Sequence, residues 1–550
     1  MKLIMKQVSS LEKIRGGKVD GIAPVGNVTL LQGESFSYQI ALETSDRTTT
    51  TLTLESPLEQ YITLYSVKAT PADFPVYSDA DDDYLIKEPG LMPDLLLPLC
   101  KENPFVRTTE NASAVWVKVD LPRNIAAGHY PVTVTATASA GKNSDTAAVS
   151  QTMWLNVLKA ELPEQKTIVT QWFHVDCIAD IHEVPIYSEE HWALIDKYMA
   201  LASEVGINMI LTPVITPPLD TAVGTTRPCT QLVKIEKNGD TYSFDFSLMD
   251  RWLELCEKNN MQYFEISHLF SQWGLEYAPN IKVTENGVES YLFGWHVKSQ
   301  SEEYAHFLKQ FVPALIAYLK EKGVKERCWF HMSDEPHANH LDAYRYAHDL
   351  VVPMLEGCPT MDALSDYDFY EEGLVPHPVT SINHMDRFLE NKVQNQWAYY
   401  CCGQYKKVGN RFLAMPSYRN RILGLQMYKF DIEGFLQWGY NFYYAQLSRG
   451  LINPYLTTSS EKAFPSGDAF SVYPVKDGVA PSLRAVIFKE ALNDMEVCRK
   501  LEQYIGKEKV VAMIDGYAGM DVSFTEYPRN NTYIPQLMEQ MKAEIRKYEN

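Results

Sequence analysis

Two acidic residues stand side by side in the middle of the chain, Asp334 and Glu335, within the run CWFHMSDEPHANH (328–340). Neighbouring carboxylates repel each other, so two of them in one site usually titrate apart, and one keeps its proton near neutral pH. Such a division suits glycoside cleavage, in which an acid protonates the departing oxygen and a second group assists. The two residues, here called the acidic pair, are therefore the first candidates for a catalytic centre.

The adjacency of the pair restricts the mechanism. An acid and an opposing nucleophile need carboxyl groups about 5 Å or more apart across the sugar, and adjacent residues lie too close for that. The exception is substrate-assisted hydrolysis, in which the 2-acetamido oxygen of the substrate attacks the anomeric carbon. The second carboxylate then only orients and stabilises that amide. The structural alternative is a helix N-terminus that the two acids stabilise.

The run before the pair predicts how it is positioned. Residues 327–335 are typical of a strand, and strand alternation assigns its side chains to two faces. Those expected to pack against outer helices are Cys328, Phe330 and Met332, and those expected to face the interior are Trp329, His331, Ser333 and Glu335. Asp334 would then lie at the rim. Pro336 lacks a donor N–H, so we expect it to end the pairing and start the next helix.

The same strand belongs to a larger repeating pattern after Lys166. Eight candidate strands lie at 167–176, 207–215, 262–270, 327–335, 360–368, 379–386, 396–402 and 434–441. Helix-length segments separate several of them, at 189–205, 247–259, 302–323 and 340–356. A hairpin with an Asn-Gly-Asp turn is predicted at 232–247. Eight strand–helix units in this length predict a (β/α)8 TIM-type barrel.

Barrel enzymes carry their reactive groups at the carboxyl ends of the strands. Besides the acidic pair, the predicted strand ends supply a polar and aromatic set: His174, Asp176, Thr212, His268, Asp366, Tyr367, His384, Tyr399, Tyr400, Trp438, Tyr440 and Asn441. Stability alone does not require this accumulation, so the set indicates a ligand site. It does not by itself identify a reaction.

The rest of the chain predicts two further parts. Residues from about 26 to 158 alternate apolar and polar side chains between turn signals, which is typical of a β-sandwich. The end of the chain contains two helical segments, at 482–505 and 534–549. We therefore expect an N-terminal β-sandwich (1–162), a catalytic barrel (163–480) and a C-terminal helical segment packed on the barrel (481–550).

Composition excludes several classes of partner. The formal charge of −20 disfavours nucleic acids and anionic membranes, because both require a basic surface. No run approaches the roughly 18 apolar residues that would span a bilayer, so no membrane insertion is expected. Nine cysteines without a CxxC pair predict neither a disulfide framework nor structural zinc. The sequence leaves open whether the chain forms a homo-oligomer.

Five segments together resemble glycoside hydrolase family 123. They are PDLLLPL (93–99), HMSDEPH (331–337), WAYYCCG (397–403), GFLQWGYNFY (434–443) and GDAFSVYPVKDGVAPSLRAVIFKEALNDME (467–496). The resemblance runs from about residue 93 to residue 496, through most of the chain. It implies a β-sandwich followed by a (β/α)8 barrel, and an exo-acting β-N-acetylgalactosaminidase that uses the retaining, substrate-assisted route. The expected partner is a glycan or glycoconjugate, with no cofactor and no metal.

The resemblance also implies roles for individual residues. Glu335 would be the general acid/base, and Asp334 would polarise the 2-acetamido group. A tyrosine would donate to the acetamido carbonyl, with Tyr400 and Tyr367 as the two candidates. Trp438 would form an apolar wall under the sugar ring. The other proposed substrate contacts are His174, Asp176, His268, Tyr440 and Asn441.

Family members with established activity act outside the cytoplasm, whereas the start of this chain shows no signal peptide. This predicts a cytoplasmic protein, unless the chain was trimmed from a secreted or periplasmic one. The sugar could also be N-acetylglucosamine rather than N-acetylgalactosamine.

Two other functions are compatible with the same residues. One is a metal-dependent barrel hydrolase, with ligands drawn from His174, Asp176, His268, His331 and His384. Strand one, however, has His-Val-Asp instead of a His-x-His pair, and no strand-end lysine offers a bridging ligand. The other is a non-catalytic glycan-binding protein on a glycosidase scaffold. The acidic pair argues against it, because binding alone requires no proton donor beside a second acid.

Overall fold

The computed structural model describes residues 1–100, 103–140 and 146–549 of the chain. Its N-terminal part contains ten strands: β1 (Leu3–Ser9), β2 (Val28–Gln32), β3 (Ser35–Thr44), β4 (Thr48–Glu55), β5 (Ile62–Ala72), β6 (Gly90–Pro98), β7 (Phe105–Thr108), β8 (Ser113–Asp120), β9 (Gly128–Ser139) and β10 (Thr146–Glu161). The predicted β structure is thus present, and it begins earlier than residue 26, with β1.

These strands form two five-stranded sheets. One has the order β1-β3-β8-β5-β6 and the other the order β2-β10-β9-β4-β7. Alternate residues of both sheets meet in one hydrophobic cluster, to which β3 contributes Tyr38, Ile40 and Leu42. Strand β9 contributes Val132 and Val134 to the same cluster. The period-two pattern of the sequence therefore produces two sheets that share a core.

The next part is built around eight short parallel strands: β11 (Ile168–Gln171), β12 (Met209–Thr212), β15 (Tyr263–Ile266), β18 (Cys328–Phe330), β19 (Met361–Leu364), β20 (His377–Ser381), β21 (Trp397–Tyr399) and β22 (Gly434–Gln437). Their order is β18-β15-β12-β11-β22-β21-β20-β19. A parallel bridge between Phe330 and Thr360 connects the two ends, so the sheet is nearly closed into a barrel. All eight predicted strands are found, each shorter than predicted.

Helices connect and surround the barrel strands. They are α1 (Val175–Ile181), α2 (Glu189–Glu204), α3 (Ser247–Lys258), α4 (Glu302–Glu321), α5 (Leu341–Val351), α6 (Asp368–Glu371), α7 (Asp386–Glu390), α8 (Tyr418–Arg421) and α9 (Leu423–Lys429). Short 3-10 turns lie at Val19–Gly21, Glu59–Tyr61, Lys325–Arg327, Ala338–His340, Val352–Met354 and Gln446–Ser448. Ser188 and Ser301 cap α2 and α4 by accepting a backbone N–H, which explains where these helices begin.

The predicted hairpin is present as β13 (Lys234–Asn238) and β14 (Thr241–Asp245). It is part of a four-stranded sheet, β14-β13-β16-β17, with β16 (Ile281–Glu285) and β17 (Val288–Phe293). The second hairpin was not predicted from the sequence.

Alternate side chains of strand β18 lie on the outer and inner faces of the barrel. Cys328 and Phe330 belong to the large outer cluster, whereas Trp329 belongs to a separate cluster inside the barrel. The predicted alternation is therefore confirmed for the strand itself. The strand ends at Phe330, however, and not at Glu335. Pro336 does not begin a helix, because a 3-10 turn at Ala338–His340 precedes α5.

The C-terminal part contains a small hairpin, β23 (Val472–Val475) and β24 (Gly478–Pro481), and three helices: α10 (Leu483–Ile505), α11 (Lys507–Ala518) and α12 (Tyr533–Arg546). Helix α10 packs against α8 and α9 and also against β3 and β6. A buried ion pair between Arg484 and Asp94 joins α10 to β6. The tail thus contacts both the barrel and the N-terminal sheets. Across the described residues, no helix has the length and apolar character needed to cross a membrane.

Candidate active site

A pocket lies at the carboxyl end of the barrel strands. Its lining consists of Trp172, Leu219, Asp220, Gln272, Trp273, Asp334, Glu335, Ala363, Tyr399, Tyr400, Cys401, Cys402, Leu436, Trp438 and Phe464. The mixture of aromatic walls with a few polar groups is typical of small-molecule sites. The acidic pair is thus brought into one pocket, as the sequence predicts.

Glu335 lies directly beside a tyrosine in this pocket. The hydroxyl of Tyr399 donates a hydrogen bond to Oε1 of Glu335 over 2.8 Å. Strand alternation explains this contact, because Trp397 and Tyr399 both point into the barrel while Ala398 points outward. Burial raises the pKa of Tyr399 well above its ordinary value, so this hydroxyl stays a donor at neutral pH.

Asp334 holds its proton more tightly than an ordinary aspartic acid. Burial, followed by the charge of Glu335, raises the pKa of Asp334 well above its usual range, although the nearby His331 opposes the shift. Within the part of the chain that the structure describes, no Lys, Arg or His forms an ion pair with either acid. Asp334 therefore keeps its proton at neutral pH.

Three residues of the pocket have a backbone conformation that side chains rarely adopt. Glu335 has φ +43°, Asp220 has φ +40° and Trp273 has φ +56°. Strained residues of this kind cost of order 1–3 kcal/mol each and cluster at functional sites. Glu335 therefore reaches the pocket through a turn after β18, and not through continued strand alternation.

A second group of acids lies beneath the pocket, inside the barrel. His331 donates from Nδ1 to Asp362 over 2.8 Å and from Nε2 to Glu265 over 2.7 Å. Burial alone would lower the pKa of His331, but the hydrogen bonds to the two carboxylates raise it to about 10. Glu265, His331 and Asp362, here called the buried triad, thus hold a protonated imidazole between two acids.

The buried triad is connected to the pocket at two points. Asp362 accepts the backbone N–H of Met332 over 3.1 Å, two residues before the acidic pair. Glu265 accepts the indole N–H of Trp172, a pocket residue, over 2.7 Å. The triad therefore fixes the segment that leads to Asp334 and one wall of the pocket.

Another part of the pocket wall is held by a different carboxylate. The indole N–H of Trp438 donates to Oδ2 of Asp468 over 2.8 Å, and the ring packs against Phe442 and Phe464 with centroid separations of 5.0 Å. Burial raises the pKa of Asp468 to about 7. Trp438 is half-buried, so one part of its ring faces the pocket.

The family model described as "Glycoside hydrolase 123, catalytic domain" matches residues 172–501, more than half of the chain and the whole of this pocket. The chain belongs to glycoside hydrolase family 123. The resemblance inferred from the five sequence segments is thereby confirmed, and the protein is a glycosidase. A comparison with curated protein sequences finds no match.

Solved structures add a likeness of fold. One is described as "The details of glycolipid glycan hydrolysis by the structural analysis of a family 123 glycoside hydrolase from Clostridium perfringens". It superposes with a TM-score of 0.73 at 16% identity, covering 100% of this chain and 98% of that one. A Rhizomucor miehei family 5 mannosidase gives a TM-score of only 0.33 at 11% identity, over 63% of this chain and 93% of that one.

Several predicted contacts of this family 123 enzyme lie outside the pocket lining. His174 accepts from Arg227 at Nδ1 over 3.1 Å and donates from Nε2 to the backbone oxygen of Trp438 over 2.9 Å. Burial and the Arg227 charge lower the pKa of His174 to about 3, so it is neutral. Arg227 also forms an ion pair with Asp176, and Asn441 bonds the backbone of His174. These residues support the loop that carries Trp438.

Two other predicted contacts are also structural. Tyr440 stacks on Phe173 and donates its hydroxyl to the backbone oxygen of Tyr198 over 3.0 Å. Tyr367 packs against Phe388 under the guanidinium of Arg387, away from the pocket lining.

The two predicted tyrosine candidates do not supply the pocket hydroxyl. Tyr400 touches the pocket, but its side chain points outward into the large cluster, where its hydroxyl is buried without a partner among the described residues. The hydroxyl that reaches Glu335 is that of Tyr399. It is among the predicted strand-end residues and shares a face with Trp397, which is the signal that could have selected it.

Other pocket residues were not predicted. Gln272 is only 7% exposed, and both atoms of its amide lack a partner within the described part of the chain. Trp273 is 48% exposed at the rim, and Asp220 accepts the backbone N–H of Leu447 over 2.9 Å. Burial raises the pKa of Asp220 to about 6. These residues follow strands β12 and β15 in irregular loops, where periodicity carries no signal.

One cluster of potential metal ligands occurs among the described residues, formed by His268, His331 and Asp362. His268 stacks on His331 at 4.1 Å, and neither of its ring nitrogens has a partner there. His331, however, donates from both nitrogens and is protonated, so it offers no lone pair to a cation. This donor set does not fit a metal.

Proposed function

We propose that this family 123 enzyme is an exo-acting glycoside hydrolase that removes terminal β-linked N-acetylhexosamine, with N-acetylgalactosamine as the preferred sugar. The mechanism is retaining and substrate-assisted, through an oxazoline-type intermediate. The observation that carries the proposal is the placement of adjacent Asp334 and Glu335 in one pocket. Adjacent carboxyls cannot act from opposite faces of a sugar ring, so the nucleophile has to come from the substrate.

In the first step, Glu335 protonates the glycosidic oxygen while the acetamido oxygen of the substrate attacks the anomeric carbon. The C–O bond to the aglycone breaks, and the acetamido group closes into an oxazoline. In the second step, Glu335 takes a proton from water, which opens the oxazoline from the face that the aglycone left. Two inversions at the anomeric carbon give overall retention.

The proposed roles require a proton to change its position when the sugar binds. Before a sugar binds, the raised pKa of Asp334 keeps the proton on that residue. The acetamido N–H would donate to Asp334 and thereby favour its ionised form, because hydrogen bonds to a carboxylate stabilise its charge. The proton that leaves Asp334 is then available to Glu335, which performs the acid step.

We assign the tyrosine role to Tyr399, in place of Tyr400 and Tyr367. Its hydroxyl already lies 2.8 Å from Glu335, so it is close to the reacting atoms and can donate to the acetamido carbonyl. Trp438 is proposed as the apolar wall of the sugar site, because its ring lines the pocket and Asp468 fixes its edge.

The Clostridium perfringens structure concerns glycolipid glycan hydrolysis. By extension, a glycan or glycoconjugate is the proposed substrate class here. We further propose to class the N-terminal sheets as a β-sandwich and the parallel sheet as a (β/α)8 TIM-type barrel. The proposed division of the chain is 1–162, 163–480 and 481–550.

The proposal is tested by incubating the protein with 4-nitrophenyl β-GalNAc, β-GlcNAc and β-Gal side by side. We expect hydrolysis of the 2-acetamido sugars, fastest for GalNAc, and no hydrolysis of the 2-hydroxy sugar. Cleavage of the galactoside at a rate equal to that of GalNAc would refute substrate assistance.

A further inference from the structure

Two adjacent thiols line the same pocket and have no part in the proposed mechanism. Cys401 and Cys402 lie just after β21, separated from it by Tyr400, and both are free and half-buried. The sequence contains no other pair of neighbouring cysteines. We call Cys401 and Cys402 the dithiol.

The local geometry holds the two thiols together at the pocket wall. The side-chain oxygen of Gln404 accepts the backbone N–H of Cys401 over 2.8 Å and its thiol over 3.3 Å. The hydrogen bond with the Cys402 thiol is the largest cause that raises the pKa of Cys401, followed by burial, and the charge of Glu335 adds to it. Both residues line one pocket, and Cys401 lies within electrostatic range of the proposed catalytic acid.

We propose that the dithiol is a binding site for thiophilic trivalent arsenic compounds. Soft sulfur ligands select soft, thiophilic centres. With an organoarsenic oxide, two As–S bonds form while the As=O bond and two S–H bonds break. The oxygen leaves with both protons as water, and arsenic stays trivalent, so no oxidant is needed.

The pairing of the thiols is what gives the site its selectivity. After the first As–S bond forms, the second thiol reacts within the same molecule at a high effective concentration. A lone exposed thiol such as Cys100 forms only one such bond, which a competing monothiol displaces. Cys328 and Cys358 also lie near each other, but both are buried, so a reagent does not reach them from solution.

The test uses the folded, full-length protein and phenylarsine oxide at one equivalent, followed by an excess of 2-mercaptoethanol. Intact mass should show one phenylarsenic group in place of two thiol protons. Digestion with trypsin should locate it on residues 393–406, which contain both thiols and no other cysteine. A competing dithiol, 2,3-dimercaptopropanol, should remove it. The readout is mass, so the result does not depend on the proposed hydrolysis.

Cys401→Ser and Cys402→Ser should each lose the monothiol-resistant adduct, whereas the matched control Cys100→Ser should retain it. If a pocket variant fails to fold, peptide mapping of the adduct on the wild-type protein still tests the proposal. An adduct that 2-mercaptoethanol removes, or one that lies on the peptides of Cys328 and Cys358, would overturn the proposal.

Discussion

The barrel contains two groups of acids that differ sharply in their surroundings. Asp334 and Glu335 face a pocket, and Glu335 accepts a hydrogen bond from the hydroxyl of Tyr399. Glu265 and Asp362, which are fully buried, hold the imidazolium of His331 between them. The first group lies in a strained turn, and the second lies at or beside regular strands.

The difference shows what each group can do. Carboxylates that are paired with a buried cation are held in one charge state and contribute to structure. Carboxyls that lie close together without a cation share protons, which is what acid–base catalysis requires. Substitutions in the two groups should therefore differ in whether they change activity or stability.

The largest effect is expected for Glu335→Gln. Removal of the acid should lower kcat for phenyl β-GalNAc by about 10³-fold, within the range that general acid catalysis contributes. The loss should be smaller for 4-nitrophenyl β-GalNAc, whose leaving group needs less protonation. Steady-state kinetics with both substrates measure this, and thermal unfolding should show no loss of stability. An equal loss of kcat with the two substrates would contradict the role of Glu335 as the acid.

Asp362→Asn should act mainly on stability. It removes one carboxylate from the buried imidazolium of His331, and breaking a buried pair costs about 3 kcal/mol or more of the free energy of unfolding. Urea unfolding of this variant should be compared with that of Asp240→Asn, an exposed aspartate at the hairpin turn. Equal midpoints for the two variants would show that the triad is not structural.

Tyr399→Phe should reduce kcat by about tenfold, the order of one lost hydrogen bond of about 1.4 kcal/mol. Tyr400→Phe is the matched control, because its hydroxyl contacts no partner among the described residues. Kinetics with 4-nitrophenyl β-GalNAc distinguish the two. Loss of activity in the Tyr400 variant alone would assign the role to Tyr400 instead.

Asp334→Asn should raise stability at neutral pH, although it lowers activity. The pKa of Asp334 is raised in the folded protein, so the unfolded chain loses this proton first as pH rises. Above pH about 4, the wild type therefore loses about 1.4 kcal/mol of stability with each further pH unit until Asp334 ionises in the folded protein, and the asparagine variant does not. Unfolding at pH 3 and pH 7 measures the difference. If the stability difference between the variant and the wild type is no larger at pH 7 than at pH 3, the pKa of Asp334 is not raised in the folded protein.

Much of the barrel could be predicted, because short apolar runs between helix-length segments have a clear period. The strand ends could not, since polar residues such as His331 and Asp334 continue the alternation after pairing stops at Phe330. The predicted strand therefore extends five residues too far. Pro336 likewise marks the end of pairing but not the start of α5.

The acidic pair could be located from the sequence, because its two members are neighbours. The sugar contacts could not be selected in the same way, since they depend on partners from distant segments. Polarity at a strand end predicts that His174 and Asp176 contact the sugar. Instead, both bind Arg227, which comes from a loop after β12. Between Tyr399 and Tyr400, only the register relative to Trp397 decides which side chain enters the barrel.

The most direct test of substrate assistance is a series of 4-nitrophenyl β-GalNAc substrates with zero to three fluorine atoms on the acetamido methyl group. Fluorine withdraws electrons from the carbonyl oxygen, which is the proposed nucleophile. We predict that kcat/KM falls steeply with each added fluorine. A rate that stays constant across the series would contradict substrate assistance and favour attack by a protein carboxylate, for which the pocket lining offers Asp220 besides the acidic pair.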